Sequence, residues 1–428
     1  MRILIENGTV VDPQQSLDDV RHVYIDGNTI VAVLTPNEIS NAPFSRDEAD
    51  QVYDAQGQTI CPGLVDIHVH FRDPGQEYKE TIETGCKSAA HGGFTDVCCM
   101  PNTNPINDQP EITKYMIAKA RSLSGTRVHP VAAISPGSYG KGLTEMGLLL
   151  EAGACGFSDD GQPVTDPQLM RRAMEYARSF DALIISHCED LRLAEGVMNE
   201  GIVSTRMGLA GIPNAAESVM VMRDIALCEL TGTRLHIAHV STAQSIEAIK
   251  LAKDKGLPVT AETAPHYFTL TDSAVLEYDT HAKMNPPLRT ETDREAIRQA
   301  LAEGIIDVIA TDHAPHSDLE KVVPFDQAAN GIIGLETSLA LGLKLVHDRV
   351  LTLFQLIERM SINPAKIMKL PDKLIASGYP ADLTIIDLSM EHTISAKSFQ
   401  SKSRNTPFDG WTCRGKVMQT IVNGQLCL

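Results

Sequence analysis

No apolar stretch in the chain approaches the roughly 18 residues a membrane-spanning helix needs, no basic stripe is available to neutralise a phosphate backbone or an anionic bilayer, and no low-complexity tract interrupts the sequence. Paired cysteine motifs are missing too. The nine cysteines are odd in number, include the adjacent Cys98 and Cys99 and form no C-x-x-C pair, which argues against a disulfide scaffold and for a reducing compartment. The N-terminus reaches Glu6 too early to supply the apolar region of a signal peptide, so a cytoplasmic protein is expected. With a formal net charge of −18, neither nucleic acid nor membrane is an expected partner. A small anionic substrate is not excluded, because a few local arginines or a metal ion can dominate a site whatever the total.

What is present is an ordinary globular composition, 43% hydrophobic and 21% charged over 428 residues. That length fits one large catalytic domain with a smaller appendage. The two ends carry short β-type runs, at 3–11, 23–34 and 51–55, then at 382–387 and 415–428, with turns at Asn7-Gly8, Asp26-Gly27-Asn28, Gln56-Gly57 and Asn423-Gly424. They predict a small β-sandwich domain formed by both termini, 1–58 plus 375–428.

Between them, over 59–374, short apolar runs alternate with helical stretches. The runs are 59–70, 94–101, 126–135, 154–160, 182–190, 234–241, 257–266 and 306–315. Helix starts are marked at Asp166-Pro167 and Gln109-Pro110-Glu111. Eight βα units predict an α/β fold, a closed (β/α)8 TIM barrel. A doubly wound sheet would usually open with a Gly-rich phosphate turn, and there is none. In a barrel the chemistry sits at the C-terminal ends of the strands, so the polar residues closing each run are the candidates.

The first run closes with His68-Val69-His70, two imidazoles on one face of a strand that can meet one metal ion. An H-x-H pair alone is more often just a polar strand end. Other runs, however, end likewise. The fifth offers His187, the sixth His239 and the eighth Asp312-His313-Ala314-Pro315-His316, while the fourth closes with Ser158-Asp159-Asp160-Gly161, placing a carboxylate where two metals can share it. Four His and two Asp from five strand ends suit Zn²⁺ better than Mn²⁺, Co²⁺ or Fe²⁺. Arg72, two beyond His70, is able to clamp a carboxylate with two parallel bonds, with Asn102 and His316 completing the clamp. A surface ion pair is the plain structural alternative for Arg72, and Asn beside Pro is common in turns.

Five motifs in order, Asp66-Ile67-His68-Val69-His70-Phe71-Arg72-Asp73-Pro74-Gly75, Met100-Pro101-Asn102-Thr103, Glu262-Thr263-Ala264-Pro265-His266-Tyr267, Asn285-Pro286-Pro287-Leu288-Arg289 and Thr311-Asp312-His313-Ala314-Pro315-His316, resemble the amidohydrolase superfamily. In local wording they resemble bacterial class I dihydroorotase over essentially the whole chain. The resemblance implies that one or two Zn²⁺ ions are held by His68 and His70 on the buried side and by His187 and His239 on the exposed side, with Asp160 joining them. Many relatives bridge with a carbamylated lysine, but no lysine ends the fourth run; Asp159 is expected to point away. Asp312 is implied to be both ligand and proton shuttle. In ring opening, a metal-activated water attacks the ring amide carbonyl, and Asp312 passes its proton to the departing nitrogen.

Arg72, Asn102 and His316 are implied to bind the substrate α-carboxylate, and Asn285 the ring amide. The implied reaction interconverts N-carbamoyl-L-aspartate and L-dihydroorotate in pyrimidine biosynthesis. A homodimer is expected, with association with aspartate transcarbamoylase as an option. Three relatives (dihydropyrimidinase, hydantoinase and allantoinase) share the metal logic but lack the combination of Arg72, Asn102 and His316. A non-catalytic partner of the transcarbamoylase would be expected to have lost ligands that this chain keeps. The 317–334 segment reads as a mobile active-site loop whose glycines bring backbone groups near substrate. His236, three before His239, is expected to face away from it, and His266 and His313 to support the ligands from behind.

Overall fold

The computed structural model describes residues 1–123 and 125–428. Eight parallel segments close a cylinder. Leu64–Val69, Phe94–Cys99 and Arg127–Pro130 pair in that order. The fourth segment contributes a parallel bridge on each side of Phe157, to Ala132 and Ile184. Leu183–Ser186, Arg234–Ile237, Val259–Thr263 and Val308–Ile309 follow. A parallel bridge from His313 back to Val69 closes the ring. All eight expected runs therefore supply a wall of the barrel, although the fourth is too short to form more than single bridges.

Strand alternation divides the apolar residues between two cores. Val65, Ile67, Cys98, Val131, Ile185 and Val308 fill one cluster, floored by Ala365, Ile367 and Met368. Their neighbours Leu64, Phe94, Val97, Val128, Ile184 and Ile237 pack instead with helix residues such as Ile82, Met116, Met170 and Val221. Burial on both faces is why these strands read as near-continuous apolar runs. The helix Pro167–Arg178 starts where expected, with the Asp166 carboxylate accepting from the N–H of Gln168 at 2.8 Å and proline in the first turn. At Pro110–Arg121 the proline is also first, but Gln109 makes no side-chain cap.

The two termini share one hydrogen-bonded network. Its path runs Gln425–Leu426, Thr412–Val422, Leu383–Thr393, Thr59–Pro62, Arg2–Asp12, Leu17–Asp26 and Thr29–Leu34, with Gln51–Asp54 alongside Arg2–Asp12. Ile3, Ile5, Val23, Ile25, Leu383, Ile385 and Ile421 meet in its core. The apolar run at 59–70 thus serves both units, its first half pairing with Arg2–Asp12 and its second half opening the barrel. Buried charges fasten the two where they meet. Arg127 donates to Asp96 at 2.8 and 2.7 Å and to Asp382 at 3.0 Å, and Lys373 to Asp96 at 2.5 Å. Removing one of the acidic partners or Lys373 leaves an unpaired buried charge, which is costly. No helix among the described residues is long and apolar enough to cross a membrane.

Candidate active site

Nine of the ten residues singled out from sequence line one cavity of about 220 Å³ at the strand ends: His70, Arg72, Asn102, Asp160, His187, His239, Asn285, Asp312 and His316. The tenth, His68, is fully buried and meets both carboxylates. Its Nε2 lies 3.4 Å from Asp160 Oδ1 and 3.6 Å from Asp312 Oδ1. His70 Nε2 lies 3.0 Å from Asp312 Oδ1 and 3.5 Å from Asp160 Oδ2. His187 Nδ1 and His239 Nε2 each lie 3.6 Å from Asp160 Oδ1 and 2.8 Å from each other. A larger cavity, about 570 Å³, sits by Arg127 and Val422 at the strands' other ends. It is lined by no carboxylate, so the smaller cavity is the one equipped for acid–base chemistry.

Backbone geometry aims these groups. Arg72, His239 and Asp312 have φ of 60°, 34° and 49°, left-handed values that non-glycine residues adopt at a cost and that cluster at functional sites. Each lies just past the end of its strand, where leaving the pleat turns the side chain into the mouth. Asp159, in contrast, accepts from the N–H of Ser135 at 3.0 Å and from its hydroxyl, and turns away as the alternation predicts.

The donor set fits a divalent cation. Separations of 3.4–3.6 Å are long for hydrogen bonds, whereas two atoms bonded to one tetrahedral zinc at about 2.0–2.1 Å lie about 3.4 Å apart. Moreover, His68 Nε2 and Asp160 Oδ1 are buried without any hydrogen-bond partner, which is costly unless a charge sits between them. Desolvation pushes Asp160 up, but the charge of His68 and the polar ring nitrogens of His187 and His239 beside it hold its carboxyl well below the usual range. Asp312 shows the same balance: burial raises it, and His68, His70 and His239 bring it below the ordinary value. Both carboxylates are therefore ionised and able to bind a cation.

A supporting layer escaped the sequence argument. Glu262 Oε1 accepts from His68 Nδ1 at 2.5 Å, and its Oε2 accepts from His236 Nε2 at 3.2 Å. His236 thus does not stand apart from the site. The strand stops at Ile237 and His239 is left-handed, so alternation cannot be counted from 236 to 239. Glu262 and Thr260, which bonds His236 Nδ1 at 2.8 Å, lie two apart on one strand, a signal the sequence did hold. Glu189 faces His187 Nε2 at 3.5 Å, and His70 Nδ1 donates to Asn102 Oδ1 at 2.7 Å. His313 turns its Nε2 to Glu80 at 3.3 Å and accepts the N–H of Gly334 at 3.2 Å. His266 is buried with Nε2 unpartnered, and burial pushes it down to about 4, a neutral imidazole. The 317–334 segment is tied down by Lys321, whose ammonium donates to the carbonyls of Ala329 at 2.8 Å and Gly331 at 3.1 Å.

Residues 57–245 match the family model described as Dihydro-orotase-like. A dihydroorotase of Desulfotalea psychrophila is 53% identical over 426 residues, covering 99% of each chain. One of Geobacter metallireducens is 51% identical over 427 residues, covering 100% of this chain and 99% of its own. Among solved structures, the L-hydantoinase (dihydropyrimidinase) of Arthrobacter aurescens superposes with a TM-score of 0.88 at 25% identity, covering 99% of this chain and 95% of the other. The D-hydantoinase of Thermus sp. gives a TM-score of 0.81 at 26% identity over 99% and 94%. The hydantoinases share the barrel-and-sheet architecture at a quarter identity, whereas the dihydroorotases are twice as similar from end to end. The chain belongs to the dihydroorotase family, hydrolases acting on cyclic amide bonds.

Proposed function

We propose that this cavity binds L-dihydroorotate and N-carbamoyl-L-aspartate and interconverts them, with Arg72 reading the substrate carboxylate and Asp312 carrying the proton. One observation carries the reading: a buried guanidinium, Asn102 and His316 line the same 220 Å³ space as Asp160 and Asp312. That volume lies below the roughly 300–1,000 Å³ of drug-sized pockets, as a single six-membered ring requires. His316 is pushed down to about 3, by burial and then by the charges of Arg72, Lys79 and Lys321, so it brings a neutral imidazole. The positive charge that a carboxylate needs comes from Arg72.

Zn²⁺ is the cation assigned to the mixed nitrogen and oxygen donors His68, His70, His187, His239, Asp160 and Asp312. When bound, it supplies Lewis acidity, lowering the pKa of water and polarising the amide carbonyl. The chain's own residues do the rest. Arg72 and Asn102 fix the carboxylate and with it the face of the ring presented to Asp312. Asn285, which lines the same cavity, meets the ring amide. Asp312 accepts the proton of the attacking water and delivers it to the ring nitrogen as the C–N bond opens; closure runs the same transfer backwards. Glu262 keeps the proton of His68 on Nδ1, leaving Nε2 free to ligate.

Zn-loaded protein is expected to open L-dihydroorotate while leaving dihydrouracil, hydantoin and allantoin intact. Preference for an uncharged ring would overturn the carboxylate reading. Replacing Arg72→Met raises KM about 10- to 100-fold with kcat little changed, the worth of a charge-assisted bond of roughly 1.5–3 kcal/mol; an unaltered KM in steady-state assays removes the clamp. Glu262→Gln weakens Zn²⁺ binding about 10- to 100-fold, read by competition against a chromogenic chelator. Unchanged affinity there means that Glu262 does not hold His68 for the metal.

A further inference from the structure

The strands Leu383–Thr393 and Thr412–Val422 pair with each other in the terminal sheet, but the segment between them, 394–411, leaves the sheet and reaches the barrel mouth. It is fastened there at several points. The backbone N–H groups of Gln400 and Ser401 donate to the Glu336 carboxylate at 2.9 and 3.1 Å, and the Ser403 hydroxyl to the Lys79 carbonyl at 2.8 Å. One residue of the segment differs from these fasteners in what it holds. Asn405, 1% exposed, accepts the N–H of His316 on Oδ1 at 3.1 Å and donates from Nδ2 to the carbonyls of Ala314 at 2.9 Å and Gly331 at 3.0 Å. Its own carbonyl accepts the N–H of Ile333 at 2.9 Å.

Ala314, His316 and Gly331 all line the catalytic cavity. An amide is the side chain that offers one acceptor and two donors in a plane, and all three functions are used here on separate stretches of cavity wall. Gly331 shows how tight that wall is. Its φ is +120°, and a Cβ built there would lie 2.6 Å from that of Ala314. Its carbonyl takes a second bond from Lys321 at 3.1 Å, and its N–H donates to the Lys283 carbonyl at 3.0 Å. The wall is thus set from the barrel side by lysines and from the terminal domain by Asn405.

We propose that Asn405 is a positioning residue for substrate binding: through it the terminal domain sets where His316 and the Gly331 backbone stand in the cavity. The proposal rests on the reading of that cavity as the substrate-binding site. Asn405→Asp tests it most sharply, since it keeps the acceptor for His316 but turns an oxygen onto two carbonyl oxygens. The wall at 314–316 and 331 is forced apart while the metal-binding groups are untouched.

The expected result for Asn405→Asp is a KM for L-dihydroorotate raised roughly tenfold or more, with kcat within about threefold and zinc content unchanged. Ser403→Ala, which removes a fastening bond of the same segment, lowers the melting temperature but leaves KM alone. A KM for Asn405→Asp within twofold of the parent overturns the proposal, even if the variant melts earlier. So does a Ser403→Ala variant whose KM rises as much, since the segment would then act only as a fastener. If Asn405→Asp does not fold, Asn405→Ala carries the same comparison. Arg72→Met, assayed alongside, separates the two ideas. If its KM is normal while that of Asn405→Asp is raised, the carboxylate reading fails and the positioning role stands; the reverse pattern overturns the positioning role alone.

Discussion

Asp312→Asn lowers kcat for ring opening by about three orders of magnitude, within the 10²–10⁴-fold typical of a positioned acid–base group, while bound zinc stays near the parent level. The substitution is close to isosteric. An asparagine keeps an oxygen to face His70 Nε2, now at 3.0 Å, and so preserves both the contact and a neutral ligand for the cation. What it cannot do is hold a proton in transit. The native carboxyl is poised for that, because burial pushes it up while His68, His70 and His239 draw it below the ordinary value. It starts ionised, as an acceptor must, and stands in a dry site where the gained proton is readily passed on. Ring closure falls by the same factor, since microscopic reversibility runs one shuttle in both directions. Steady-state assays in each direction, with zinc measured by atomic emission on the same sample, decide the matter. Turnover within tenfold of the parent with zinc intact would move the shuttle to another group.

The parts of this site visible in the sequence are those in which chemistry coincides with a strand end. His68 and His70, His187, His239 and Asp312 each close an apolar run, so once eight runs are counted their convergence follows from barrel geometry. Terminal pairing was legible for a similar reason, as β-branched runs flanking Asp26-Gly27 and Asn423-Gly424 mark hairpins; the turn expected at Asn7-Gly8 is instead a bulge inside the single strand Arg2–Asp12, where the register against Leu17–Asp26 shifts. Groups that act across long stretches of sequence were not legible. That Thr260 and Glu262 share a strand face could be read locally, but the link of Glu262 and His236 to His68 joins three different strands and depends on barrel register rather than on local pattern. Counting alternation past Ile237 misplaced His236 because the left-handed His239 breaks the period. Asn405 carries no motif at all. Its role comes from an excursion of the terminal domain to the barrel mouth, and a polar residue in a loop looks the same whether it meets water or three backbone groups.

Stripping the metal with a chelator abolishes ring opening and also lowers the melting temperature, and the second effect follows from the buried geometry alone. Without a cation, Asp160 Oδ1 and His68 Nε2 are buried with no partner, and two carboxylates face each other across His70 at 3.0 and 3.5 Å. Only the charge of protonated imidazoles offsets their repulsion. A cation binds the folded arrangement of six donors far better than the unfolded chain, in which they are scattered from residue 68 to residue 312. At a free metal concentration a thousandfold above Kd this linkage stabilises the fold by about 4 kcal/mol, which for a chain of this size is a shift of several degrees. Calorimetry of loaded and stripped protein, with Zn²⁺ added back, measures it independently of catalysis. Recovery of both melting temperature and turnover at the same zinc stoichiometry ties the two to one site and counts the ions. A melting temperature indifferent to the chelator, in protein shown to have lost its metal, would mean that the His and Asp cluster is satisfied without a cation and that the donor set has been misassigned.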